Sequence, residues 1–198
     1  MRVEVLVKDY PYEEITELLH ESYREHLEAG RHYLAAVQTV EQTKERLDGT
    51  YCIVAYDKDK LVGTLSFRIY RNENNKRRKW YEDDVRIFIG QLAVLPAYRS
   101  SKVLTLMAMK AYALPEVKEV ESFITDTSTE AHHLVESYLK IGFQIVDLIS
   151  WDTTNYYSYV FRKNNNGKEY SDAYCKFRFT IGKILCMIQY TKDGKKRF

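Results

Sequence analysis

Apolar positions along the chain repeat with two periods, and each switch of period marks a boundary between elements. Val3 to Val7 alternate as a strand. From Tyr10-Pro11-Tyr12-Glu13-Glu14 the period lengthens, setting Ile15, Leu18, Leu19, Tyr23 and Leu27 on one helical face that Gly30 ends. A second helix is expected from about Thr39 to Leu47, stopped by Asp48-Gly49. Thr50 to Tyr56 and Leu61 to Tyr70 are rich in β-branched and aromatic residues, and Asp57-Lys-Asp-Lys60 reads as the turn of a hairpin. Val85 to Leu95 is nearly continuous in apolar residues, as expected of a strand covered on both faces.

Past Pro96 the helical period returns through Leu106, Met107, Ala111 and Leu114, giving a helix over Ser101 to Leu114. Val120 to Thr125 is a further strand. Ser128 to Ile141 is a helix presenting Ala131, Leu134, Val135, Tyr138 and Leu139 together, with Gly142 as its cap. Phe143 to Trp151 and Tyr156 to Arg162 alternate again around the turn Asp152-Thr-Thr-Asn155. The order is β-α-α-β-β-β-α-β-α-β-β. The polar run Arg71 to Asp84 reads as a solvated loop, basic in its first half and acidic at its end.

Composition narrows the class. A chain of 198 residues, 45% hydrophobic, suits one α/β domain with an appendage. We divide it as 1–163, the domain, and 164–198, a C-terminal helical extension with a basic tail. Net charge is +2, which gives no argument for nucleic acid, yet Gly167 to Phe198 carries +5 and leaves −3 for the remainder. The extension from Ser171 to Tyr190 is expected to be an amphipathic helix. It packs either on the domain or on a second subunit, which would make a homodimer; a cationic helix lying on a membrane surface is the sharper alternative. No apolar stretch approaches the roughly 18 to 20 residues that span a bilayer, so stable membrane insertion is not expected. The early charges of Met-Arg-Val-Glu-Val-Leu-Val-Lys-Asp do not suit a signal peptide, and a cytoplasmic location is expected. Cys52, Cys175 and Cys186 are an odd number without metal-ligand spacing, and no metal site is expected.

The chemistry lies in Gln91-Leu-Ala-Val-Leu-Pro-Ala-Tyr-Arg-Ser-Ser-Lys-Val-Leu-Thr105. A strand stops at Pro96, and a short turn leads into a helix whose first amides have no intrahelical acceptor. Such a start suits a pyrophosphate: Val103, Leu104 and Thr105 offer the amides, Arg99 and Lys102 add charge, and Ser100, Ser101 and Thr105 add hydroxyls. An ordinary strand-to-helix connection would have the same outline. The candidate proton donor is on the later segment Tyr138-Leu-Lys-Ile-Gly-Phe143.

Together these segments resemble the GNAT superfamily of N-acetyltransferases. Val94, Pro96, Tyr98 and Arg99 match its Val-x-Pro-x-Tyr-Arg turn, and Tyr138, Lys140, Gly142 and Phe143 match its later Tyr-x-Lys-x-Gly-Phe pattern. The chain departs from the family where glycines usually follow the arginine: Lys102 and Leu104 stand there, and no glycine lies between Gly90 and Gly142. The resemblance implies a central mixed, mostly antiparallel sheet flanked by helices. It also implies acetyl-CoA or another acyl-CoA as co-substrate, with its thioester and pantetheine arm against Leu92, Ala93 and Val94 at a bulge, and Tyr138 protonating the departing thiolate. Tyr138 as a core aromatic of its helix is the structural alternative. The base is unassigned among Glu82, Asp84, Asp126, His132 and His133.

The expected reaction is direct acyl transfer from CoA to a primary amine of a small molecule, such as an amino sugar. Two alternatives stand beside it. In lacking those glycines the chain resembles autoinducer-synthase-like relatives, and this resemblance implies an acyltransferase taking its acyl group from a carrier protein; without a base the chain is a silent acyl-CoA-binding module.

Overall fold

The computed structural model describes residues 1–71, 85–99 and 101–165, together with Ser171, Cys175, Lys176 and Thr180. Glu82, Asp84, Ser100, Cys186 and most of the expected C-terminal helix lie outside the described residues. The fold is α/β: seven strands run in the order β1-β2-β3-β4-β5-β7-β6 in a mixed, mostly antiparallel sheet flanked by helices.

The chain forms two compact units, the first comprising Met1–Ile69 and Ile87–Val120, the second Tyr70–Arg86 and Glu121–Phe198. In the first unit, β1 (Arg2–Leu6) pairs antiparallel with β2 (Tyr51–Asp57), which turns back into β3 (Lys60–Arg71). The hairpin loop is only Lys58-Asp59. Lys58 takes φ 54°, the left-handed conformation that tight hairpin turns demand. Helix α1 (Tyr12–Glu28) buries Ile15, Leu18 and Leu19, ends at Gly30 with φ 75°, and leaves Leu27 exposed rather than in the core. A 3-10 turn at Leu34–Ala36, which periodicity does not show, links it to α2 (Val40–Leu47). Thr39 and Gln42 cap α2 reciprocally: the Gln42 amide donates to Thr39 Oγ1 at 3.2 Å, and the Thr39 amide to Gln42 Oε1 at 2.9 Å.

Strand β4 (Val85–Val94) ends at a 3-10 turn, Pro96–Tyr98, and α3 (Val103–Tyr112) follows. β4 is not the uniformly buried strand its composition predicts: Arg86 and Gln91 are buried while Phe88, Ile89 and Gly90 are partly exposed. Helix α3 is shorter than expected, because Leu114-Pro115 starts a separate short helix, α4 (Pro115–Lys118). A residue before proline is held out of the helical region, and Leu114 has ψ 133°.

In the second unit, β5 (Ser122–Ser128) and β6 (Gln144–Ser150) both pair antiparallel with β7 (Tyr157–Asn164). Pairing of Ser128 with Ser158 extends β5, so α5 (His132–Lys140) starts four residues later than its periodicity suggests. Phe123, Ile124, Val146, Leu148, Val160 and Phe161 form this unit's core. Among the described residues no helix is long and apolar enough to cross a membrane.

Candidate functional site

The site begins with a break in β4. Gln91 has φ 43°, the one strand residue among those described with a positive φ, in a conformation that costs a side-chain-bearing residue about 1–2 kcal/mol. A left-handed residue within a strand is the local geometry of a bulge, which turns the following amides off the regular ladder. Those amides belong to Leu92 and Val94, half-buried, and Ala93, buried. Just past the end of β4, the Leu95 amide donates to the Val62 carbonyl at 3.0 Å.

The strain at Gln91 is held by buried side chains. Its Oε1 accepts from Gln38 Nε2 at 3.0 Å, and the same Nε2 donates to Thr43 Oγ1 at 2.6 Å. Gln38 Oε1 accepts from Arg46 at 2.6 Å, and the Thr43 and Thr16 hydroxyls lie 2.6 Å apart. On the next residue, the Leu92 carbonyl accepts from the Tyr23 hydroxyl at 2.9 Å.

The turn after β4 is tied on both sides. The Tyr98 hydroxyl donates to Asp57 Oδ2 at 2.9 Å, and that carboxylate raises the phenol's pKa. Arg99 donates to Glu25 Oε1 and to the Ser22 carbonyl, each at 2.6 Å, and over a longer 3.4 Å to the Val94 carbonyl. Its guanidinium thus braces α1 against the turn, and its charge is shared with Glu25. Lys102, exposed at the N-cap of α3, is the cation left facing outward from the turn.

Lys102 makes no side-chain cap. The Val103 amide reaches Ser101 Oγ only at 3.4 Å, and the Leu106 amide closes the first helical bond to the Lys102 carbonyl at 2.9 Å. By position, the Leu104 and Thr105 amides have no acceptor within the helix. Ser101, Leu104 and Thr105 are exposed and Val103 is buried. The absent glycines cause no strain: Lys102 has φ −79°, and no described residue of the turn has a positive φ.

Helix α3 packs on β1 and β2, and its start is seated on Gly63 of β3. A Cβ at Gly63 would lie 2.9 Å from Val103 Cγ1, so only glycine allows the helix this close.

Tyr138 stands in the second unit, half-buried on α5. The motif around it is a helix cap. Gly142, at φ 88°, donates to the Leu139 carbonyl at 3.0 Å, and Phe143 to the Tyr138 carbonyl at 3.1 Å, the paired bonds of a Schellman motif. The accompanying hydrophobic contact is Tyr138 against Phe143, ring centroids 5.6 Å apart, with Phe161 at 5.0 Å. Asp126 of β5 accepts from the Trp151 indole at 2.9 Å, and His132 and His133 are exposed in the first turn of α5.

A bulge-like break in a central strand, a tight turn and a helix start without a side-chain cap lie in succession on this α/β fold, and a helix start of this kind suits an anion. Residues 12–143 match the acetyltransferase (GNAT) family, and the chain belongs to it. No curated protein matches the sequence. Among solved structures, the chain is similar to the PaiA N-acetyltransferase of Thermoplasma acidophilum in complex with coenzyme A, at 15% identity and a TM-score of 0.58, covering 83% of this chain and 99% of that one. An aminoglycoside 6′-N-acetyltransferase complexed with coenzyme A is similar at 16% identity and TM-score 0.56, covering 87% and 100%. The aminoglycoside N(6′)-acetyltransferase of Legionella pneumophila gives 14% identity and TM-score 0.60, covering 83% and 92%.

Proposed function

We propose that the protein transfers an acetyl group, or a related acyl group, from CoA directly to a primary amine of a small molecule. The observation that carries this reading is the uncapped start of α3, with Lys102 exposed, reached from the break in β4 through the Pro96–Tyr98 turn, within a chain of this family. The Leu104 and Thr105 amides, with Lys102 and the Ser101 hydroxyl, would hold the pyrophosphate. Arg99 supports them by fixing the turn to α1. Leu92, Ala93 and Val94 would take the pantetheine arm and the thioester.

Acyl transfer passes through a tetrahedral intermediate, so a strand amide at the thioester carbonyl would stabilise the oxyanion as charge develops. The neutral amine attacks the thioester carbon and its nitrogen releases a proton to solvent, the C–S bond breaks, and the thiolate leaves as CoA. Tyr138 would protonate that thiolate. A thiol's ordinary pKa is near 8.5, so the thiolate is a fair leaving group and loss of the acid slows turnover without abolishing it. The aminoglycoside acetyltransferases among proteins of the same fold are consistent with a small-molecule amine acceptor.

The first test is thermal unfolding with CoA, acetyl-CoA and longer acyl-CoAs. A ligand at a hundredfold excess over its dissociation constant stabilises the native state by about 2.7 kcal/mol. A shift with acetyl-CoA leads to a panel of amino sugars and amine metabolites, with released thiol as the signal. Tyr138→Phe keeps the ring against Phe143 and Phe161 and removes only the hydroxyl. Turnover should fall while CoA affinity stays; unchanged turnover would refute the acid assignment, and no shift with any CoA would refute the donor.

A further inference from the structure

We infer that Gln38 and Tyr23 are positioning residues that set the direction of the β4 amides at Leu92 and Ala93; for catalysis, this rests on the acyl-CoA reading. The amide of Gln38, fully buried, is saturated. Arg46 can only donate, so Gln38 Oε1 must be the acceptor, and both Nε2 hydrogens are then directed at Thr43 Oγ1 and Gln91 Oε1. The orientation of this one amide is therefore fixed by α2, and through it the side chain of Gln91 is held while its backbone sits at φ 43°.

Tyr23 acts on the following peptide. Its hydroxyl holds the Leu92 carbonyl, and its ring is wedged against Tyr33 and His26, at centroid distances of 5.3 and 5.7 Å. A trans peptide is planar with its carbonyl and N–H on opposite sides, so fixing the Leu92 carbonyl also fixes where the Ala93 N–H points. Tyr23 of α1 and Gln38, just ahead of α2, thus grip consecutive residues of β4 at its break. Ordinary packing does not require this arrangement, because an extended residue at position 91 would carry no left-handed strain.

The test uses Gln38→Met, which retains an unbranched side chain of similar reach and severs the amide bonds, and Tyr23→Phe, which removes one hydroxyl. Two readouts are compared. The first is the Gln91 Cα and Cβ and the Leu92 carbonyl carbon shifts. The second is the calorimetric affinity for acetyl-CoA relative to adenosine 3′-phosphate 5′-diphosphate, which carries CoA's phosphates without its pantetheine arm. Gln38→Met should move the Gln91 shifts from the left-handed to the extended range. Acetyl-CoA should weaken by about tenfold, with the phosphate probe changed by less than about twofold.

A left-handed Gln91 in folded Gln38→Met, or an equal weakening of both ligands, would overturn the inference. Should Gln38→Met fail to fold, Tyr23→Phe decides by the Leu92 carbonyl shift and the same ratio. A wild-type protein that binds neither ligand defeats the acyl-CoA reading instead, and the carbon shifts still decide whether Gln38 sets Gln91.

Discussion

Gly63→Ala is the smallest change that tests whether α3 is seated by one missing side chain. The added methyl would meet Val103 Cγ1 at 2.9 Å and Met107 Cε and Sδ at 3.1 and 3.2 Å, whereas ordinary contact begins at 3.4 Å. About half an ångström must open at Val103. Methionine can yield by rotating a flexible thioether, but valine is held to one χ1 rotamer in a helix, so the displacement passes to the backbone. Val103 is the first residue of α3, and the helix start moves with it.

Overpacking of this kind costs about 1–3 kcal/mol. Urea unfolding should show a lower midpoint with unchanged m, and, on the proposed acyl-CoA reading, CoA affinity should fall because the Leu104 and Thr105 amides shift. Val103→Ala vacates the space that the methyl invades, so the double variant should lose less than the two single changes together. Stability of Gly63→Ala within about 0.5 kcal/mol of wild type, the range of an inconsequential surface change, would refute the close-packing argument, as would strict additivity in the double variant.

Two further outcomes follow from local geometry. Thr39→Ala removes one half of the reciprocal cap on α2 and should cost about 1 kcal/mol in urea unfolding, with Thr39→Asn restoring most of it. Burial pushes the Cys52 thiol from 9.0 up to about 11, so above pH 9 the unfolded chain releases a proton that the folded chain keeps. Stability should therefore be unaffected by this group below pH 9 and decline towards pH 11, by up to about 1.4 kcal/mol per pH unit, a slope that Cys52→Ala abolishes if Cys52 is its source.

The fold was legible in the sequence because its signals are local. The β-branched and aromatic run of Tyr51–Asp57, alternation in Tyr157–Asn164, the long amphipathic face of α1, and glycines at the ends of α1 and α5 each declare an element without reference to a neighbour. Errors fall where pairing partners decide. Ser128 has the composition of a helix cap, and only its place opposite Ser158 makes it strand. Leu27 fits the periodic face of α1 and is exposed, while polar Ser22 and His26 are buried on the same helix.

The candidate site is legible to a different depth. The turn after Pro96 and the cap at Gly142 leave motifs because each is a short backbone device with fixed side-chain demands. Gly63, Gln38 and Tyr23 leave none, since each acts on a residue distant in sequence: Gly63 on Val103, Gln38 on Gln91, Tyr23 on Leu92. Arg99 shows the same limit from the other side. Its place in the turn suggests charge for a phosphate, yet its guanidinium is bonded to Glu25 and to the Ser22 carbonyl. On the proposed reading, Arg99 would act on the anion indirectly, by holding the turn that leads to Lys102 and the α3 amides. The family's glycines need not be present for that, because a turn braced by Tyr98 on Asp57 and Arg99 on α1 reaches the helix start without a positive φ at any described residue.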